Sequence, residues 1–271
     1  MSMIFPIPAR WGSNVSLTCP RSHPSFAISH HDSAPHVLVV CEHASSYIPP
    51  EYDQLGLSDH AAKSHVAWDL GALPVAQRVA AGLDAACVYG TMSRLLYDCN
   101  RPPESSSAIP VRSEVFDIPG NTNLSQAERD LRIANIYATF SKALSEEISR
   151  HRATLRLMVT IHSFTPVFNG VTREVEIGIL HGKDAQFAQA MMHAKPHNTP
   201  YCIRLNEPYA AVDGVAHTLD TQGAANALPN VMIEVRNDLI ATDKDQNTMA
   251  TYLTDWVKRT LDQFPQHEDA A

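Results

Sequence analysis

The first feature that restricts the fold is an unbroken aliphatic run, Val37-Leu-Val-Val-Cys41, that stops on Glu42 and His43 before a loop of small residues. A short apolar run bounded by turn formers fits a strand buried on both faces, the strand type of a parallel α/β sheet. In open sheets of that kind ligands sit in the crevice beyond the carboxyl ends of the strands. An acid and an imidazole delivered there are candidates for a site by position as well as by chemistry. The competing reading is a local surface hydrogen bond between the two.

The same ending recurs along the chain. The run Leu155–Ile161 stops on His162 and Ser163, and the run Asn230–Arg236 carries Glu234 and Arg236 at its end. A further extended run over Ser93–Arg101 closes on Asn100 and Arg101, where Pro102 and Pro103 halt regular structure. Four such termini are unusual for a purely structural protein. Shorter strands are expected at Ala85–Tyr89, Val175–Leu180 and Tyr201–Leu205. Helical spacing marks 59–83, capped by Ser58 and broken by Pro74, and a Ser125/Glu128 capping box opens a long helix to about Arg152. Helices are also expected at Asp184–His193 and Lys244–Phe264, and the Ser- and Pro-rich stretch 104–120 reads as a lid.

A chain of 271 residues that is 44% hydrophobic can bury one substantial core. A single domain is expected over 36–265, with a loosely ordered arm or edge wrapping over 1–35 and a disordered tail over 266–271. The net charge of -8, without a basic run, excludes nucleic acid as the obvious partner. No apolar stretch approaches the roughly 18 residues of a membrane span. The N-terminus lacks a secretory pattern, so the cytoplasm is the default location. Cys19, Cys41, Cys87, Cys99 and Cys202 form no CxxC pair and read as reduced thiols.

Zinc in hydrolytic sites takes imidazole and carboxylate ligands, commonly three from protein, and leaves a position for water. His43 and His162 supply two nitrogens, and Glu42 or Asp69 supplies the acid. Alternation sends Glu42 and His43 to opposite faces unless the strand breaks at Glu42, which keeps Asp69 in play. Each histidine alone reads first as a hydrogen-bonded structural residue, and it is the pairing of His43 with His162 at strand ends that favours a metal; His65 is a weaker candidate on a helix. Arg101 with Asn100 forms a fork for a carboxylate. Arg94 reads as an ion-pair partner of Asp98 or another acid. Glu234 either pairs with Arg236 or serves as a base for water at a metal.

These residues are embedded in Cys41-Glu-His-Ala-Ser45, His65-Val-Ala-Trp-Asp-Leu-Gly-Ala72, Ser93–Pro103 with its Asn-Arg-Pro-Pro ending, Ile161-His-Ser-Phe-Thr-Pro166 and Ile233-Glu-Val-Arg-Asn-Asp-Leu239. In these blocks the chain resembles the N-formylglutamate amidohydrolase family, itself similar to the zinc carboxypeptidase and aspartoacylase group. The resemblance implies a three-layer αβα sandwich with a mixed, largely parallel central sheet, of the phosphorylase/hydrolase-like kind. It implies one zinc ion held by His43 and His162, a carboxylate fork at Asn100 and Arg101, Arg94 polarising the scissile carbonyl, and Glu234 as general base. Arg236 and Ser163 complete the expected substrate contacts. In that group a Glu stands three residues after the first zinc histidine, whereas this chain has Ser46, so either Glu42 or Asp69 takes its place or the metal is held less tightly than in the relatives.

The implied activity is hydrolysis of an N-acyl amino acid, with N-formyl-L-glutamate as the lead substrate. The expected partner is a small anionic molecule, and the expected state a monomer or small homo-oligomer. The alternatives are the same chemistry on another N-acyl amino acid or small peptide, and a carboxylate-binding protein without catalysis.

Overall fold

Alternation along one central strand sets the layers. In β2 (Val37–Cys41) every residue is buried, with Val37, Val39 and Cys41 packed into one apolar cluster and Leu38 and Val40 into another on the opposite face. Each aliphatic side chain so placed contributes about 1.5–3 kcal/mol of burial. The computed structural model describes residues 23–29 and 34–265, so Cys19, most of the proposed arm and the tail lie outside the described residues.

The other strands of the sheet are β1 (Phe26–Ser29), β3 (Ala86–Gly90), β4 (Leu157–Phe164), β5 (Ile177–Leu180), β6 (Ile203–Leu205) and β7 (Asn230–Arg236). They form one seven-stranded sheet in the order β1-β3-β2-β4-β7-β5-β6. β3, β2, β4 and β7 run parallel, while β1 pairs antiparallel with β3 and β5 antiparallel with β7. This is the mixed, mostly parallel α/β sandwich expected. Within the stretch read as an arm, β1 takes the edge-wrapping form, pairing Phe26 with Gly90 through Ser29 with Cys87.

One face is covered by α2 (Ala72–Leu83), α5 (Gln186–His193) and α6 (Asp243–Gln263), whose Val75, Val79, Phe187, Leu253 and Trp256 reach the sheet. The Trp256 indole is satisfied by the Met191 carbonyl at 2.9 Å. The other face carries α3 (Gln126–Arg132), which continues through a π-turn at Ile133–Tyr137 into α4 (Ala138–Arg150). The capping box is present, Ser125 accepting from the Glu128 N–H while the Glu128 carboxylate accepts from the Ser125 N–H at 2.8 Å. Among the described residues no helix is long and apolar enough to cross a membrane.

Two local expectations are corrected. The helical segment after Ser58 does break, but after α1 (Asp59–Lys63) rather than at Pro74. Pro74 lies in the first turn of α2, where a missing N–H costs nothing because that turn has no internal acceptor. The break is fixed instead by Gly71 at φ +77°, where an added Cβ would lie 2.5 Å from the Ile240 carbonyl oxygen. Ser93–Arg101 is no strand either. Ser93 Oγ accepts from the Leu95 N–H at 3.2 Å and Asp98 Oδ1 from the Asn100 N–H at 2.9 Å, so local side-chain bonds coil the segment into successive turns.

This topology puts the carboxyl ends of β2, β4 and β7 side by side, with Val40 opposite Thr160 and Glu234 opposite His162. Gly90, at the end of β3, lets the backbone at Glu42 pass against it, since an added Cβ would run into the Glu42 carbonyl oxygen. Gly90→Ala is expected to destabilise the fold by about 2–3 kcal/mol through overpacking against backbone, read as a lowered midpoint in denaturant unfolding.

Candidate active site

β2 ends at Cys41, and the chain turns through Glu42 and His43. The turn before α2 is sewn to it, the Asp69 N–H donating to the His43 carbonyl at 2.9 Å. The Asp69 carboxylate thereby enters the crevice. Its Oδ2 lies 3.3 Å from His43 Nδ1 and 2.9 Å from His162 Nδ1, and it accepts from the Ser163 N–H at 3.3 Å. The two imidazoles stand edge to face, with ring centres 4.9 Å apart. On their far sides His43 Nε2 lies 2.7 Å from Asp98 Oδ1 and His162 Nε2 lies 3.0 Å from Glu42 Oε2.

These groups are all buried, and their charges are set by one another. Burial alone pushes the Asp69 carboxyl up, but His43 and His162 hold it far below the usual carboxylate range. Asp98 is held well below that range against burial by Arg94 and His43. Burial likewise opposes ionisation of Glu42, yet the His162 imidazole brings its carboxyl below the ordinary value. Burial and Arg94 push His43 down, while Asp98 and Asp69 carry it above an ordinary histidine. His162 is raised well above the ordinary value against burial, by Glu42 and Asp69. Glu234 behaves oppositely: burial pushes its carboxyl up to about 7, and its Oε2 has no hydrogen-bond partner.

His43, Asp69 and His162 can each turn one ligand atom inward, all within 4.8 Å of one another. A tetrahedral ion with bonds of about 2.0–2.1 Å keeps its donors roughly 3.3–3.4 Å apart. The 3.3 Å from Asp69 Oδ2 to His43 Nδ1 matches that spacing, the 2.9 Å to His162 Nδ1 is a few tenths of an ångström shorter, and two nitrogens with one carboxylate oxygen is a donor set zinc accepts. The trio is buried and could hold a metal ion.

The other expected residues divide. Arg94 donates to Asp98 at 2.6 Å and to Asp69 at 3.4 Å, so the ion pair read from sequence forms at the edge of the cluster. Asn100 lines the cavity beside Arg101, but its amide is engaged by backbone. Its Nδ2 donates to the Val215 carbonyl at 2.5 Å and its Oδ1 accepts from the Thr218 N–H at 2.9 Å, so its amide ties two loops together. Arg101 lines the crevice and donates to the Asn100 carbonyl at 2.9 Å. The Ser163 hydroxyl is spent on the Leu70 carbonyl at 2.8 Å. Arg236 is engaged by Asp238 at 2.8 Å and Glu176 at 3.2 Å, leaving Glu234 unpaired with it. His65 lies in the turn after α1 and meets Glu114 at 2.5 Å, apart from the histidine cluster.

The crevice opens into a cavity of about 620 Å³, whose floor holds His43, Asp69, His162 and Glu234. Its walls come from the hairpin around Arg112–Asp117, from the ribbon Val167–Thr172 and its exit at Arg173, and from the loop with Pro208 and Tyr209. The stretch read as a lid does line the cavity. Sequence reasoning passed over Arg173 and Tyr209, which end no strand, and over Asp98 as the acid behind His43. Asp98 had one signal, its place two residues before Asn100 in a run already marked as polar.

A profile of the N-formylglutamate amidohydrolase family matches residues 35–241. The chain belongs to the N-formylglutamate amidohydrolase family. It is an amidohydrolase at the level of that family, and the matched residues run from just before β2 to just beyond β7, enclosing the whole cluster. A crystal structure of a gene product from Agrobacterium tumefaciens is 44% identical, with a TM-score of 0.88 over 92% of this chain and 99% of that one. An N-formylglutamate amidohydrolase from Ralstonia eutropha JMP134 shares the fold at 15% identity, with a TM-score of 0.58 over 89% of this chain and 98% of that one. No curated protein matches the chain significantly.

Within this family member, Asp98 serves His43 and Arg94 at once. Asp98→Asn leaves a buried imidazole and a guanidinium short of their shared counter-charge. Such a change is expected to cost about 3 kcal/mol, seen as a lower thermal midpoint without loss of native secondary structure at 25 °C.

Proposed function

We propose that the chain is a zinc-dependent amidohydrolase of N-acyl amino acids, with N-formyl-L-glutamate as lead substrate and formate and glutamate as products. The observation that carries this reading is the single Asp69 oxygen facing both histidine Nδ1 atoms, with the unpartnered Glu234 carboxylate in the same cavity floor. Asp69, His43 and His162 would hold the ion, so the acid that replaces the missing Glu at Ser46 is Asp69 rather than Glu42. Asp98 would then accept from the His43 Nε2–H, fixing tautomer and ring orientation as carboxylates behind metal-bound histidines do, and Glu42 would stand as the counter-charge 3.0 Å from His162 Nε2. A zinc ion in such a set supplies Lewis acidity toward a carbonyl and acidifies water.

The remaining chemistry falls to side chains of this chain. Glu234 takes a proton from the attacking water and returns it to the leaving nitrogen as the amide C–N bond breaks and the water oxygen joins the acyl carbon. A carboxyl raised to about 7 is poised for both halves of that transfer near neutral pH. Arg94, fixed by Asp98, offers its guanidinium to the carbonyl oxygen as negative charge develops there. Arg101 binds a substrate carboxylate.

The test is a hydrolysis screen of N-formyl, N-acetyl and N-succinyl amino acids on zinc-loaded protein. Release of formate from N-formyl-L-glutamate ahead of the other substrates is the expected outcome, and no hydrolysis of any N-acyl amino acid defeats the reading. Glu234→Gln should lower kcat by about 10³-fold or more while zinc content stays near one per chain, because the change removes a base and not a ligand. Asp69→Asn should instead lower zinc content itself, measured by elemental analysis after dialysis.

A further inference from the structure

Four arginines line the cavity, Arg94, Arg101, Arg112 and Arg173, and their partners separate them. Arg94 is paired with Asp98 and Asp69, and Arg112 with Asp117. Arg101 donates to the Asn100 carbonyl, while Arg173 donates to the Thr165 carbonyl at 3.3 Å and the Tyr209 hydroxyl at 3.0 Å. Among the described residues neither Arg101 nor Arg173 has a carboxylate partner. The cavity therefore holds two guanidiniums that, among the described residues, make no salt bridge to a carboxylate.

Arg173 is also built into place. Its guanidinium carbon lies 4.6 Å from the Phe168 ring centre, 4.9 Å from Tyr209 and 5.5 Å from Phe164. The faces of three rings stabilise the cation without neutralising it. Arg236 donates to the Arg173 carbonyl at 3.2 Å, and is itself anchored by Glu176 and Asp238. Among the described residues two of the five guanidinium N–H groups are spent, one on each Nη and both on neutral acceptors, and the other three can donate to an anion. A stack of this kind with free donors is the arrangement expected of a carboxylate receptor.

We propose that Arg173 is a specificity-determining residue that binds the second carboxylate of a dicarboxylate substrate, an N-acyl amino acid with an acidic side chain, while Arg101 binds the first. The proposal rests on the amidohydrolase reading above for the identity of the scissile bond, but the two-cation cavity stands apart from the chemistry. Arg236, expected from sequence to touch substrate, acts here through the Arg173 backbone as a positioning residue.

The experiment uses zinc-loaded full-length protein and two probes that cannot be hydrolysed as N-acyl amino acids, glutarate and its monoamide glutaramate, which keeps one carboxylate and replaces the other by an uncharged amide, with Kd measured by calorimetry. Unmodified protein should prefer glutarate by about tenfold or more, as a charge-assisted pair requires. In Arg173→Gln the ratio should fall close to one, and in Arg173→Lys, which keeps the charge without the planar fork, part of the preference should remain. A ratio near one in the unmodified protein, or a ratio unchanged in Arg173→Gln, overturns the proposal. Parallel turnover assays on N-formyl-L-glutamate separate the two readings: a glutarate preference that depends on Arg173 without any turnover supports the receptor and defeats the catalytic reading alone.

Discussion

One carboxylate oxygen organises the centre of this protein. Asp69 Oδ2 is approached by His43, His162 and the Ser163 N–H, which arrive from a turn after β2 and from β4. None of these groups is a sequence neighbour of Asp69, and burial would drive the acid and each imidazole toward its neutral form if it stood alone. Gathered around one acid they remain polar in the interior. The surrounding architecture serves that gathering: Gly71 opens α2 at a left-handed turn, and the Asp69 N–H is bound to the His43 carbonyl.

A second layer of acids stands behind the first. Asp98 and Glu42 occupy the outer nitrogens of the two imidazoles, so each ring is held between two carboxylates. Replacement of a buried charge by an uncharged isostere at any of these positions disturbs several partners together, because the network shares its members. Glu234 lies beyond the network with an unpartnered oxygen. Its carboxyl is raised while those of Asp69 and Asp98 are depressed, and neighbouring acids thus acquire opposite character within one cavity.

Much of this was legible in the chain because strand periodicity carries chemistry with it. An aliphatic run buried on both faces announces a parallel sheet, and an ionisable residue at its end announces the crevice, which located His43, His162 and Glu234. That Asp69 rather than Glu42 would face both histidine Nδ1 atoms was not legible, since it depends on a strand ending at Cys41 and on a hydrogen bond from a distant turn. Asn100 and Arg101 looked alike as a fork, but one amide is consumed by the backbone of Val215 and Thr218. Arg173 was not picked out from sequence, because it ends no strand and its ring contacts depend on how the ribbon after β4 folds back and on Tyr209 from a distant loop.

The distance along the chain between Asp69 and His162, 93 residues, has a kinetic meaning. Parallel strands need long crossovers before they pair, and contacts of that separation form late because loop closure must precede them. The histidine and carboxylate charges are thus brought into the interior only once β2, β4 and β7 are aligned. A partly folded chain keeps those side chains hydrated and apart. Maturation of the centre is therefore coupled to completion of the sheet, and any ion that selects the assembled trio binds the native state in preference to its precursors.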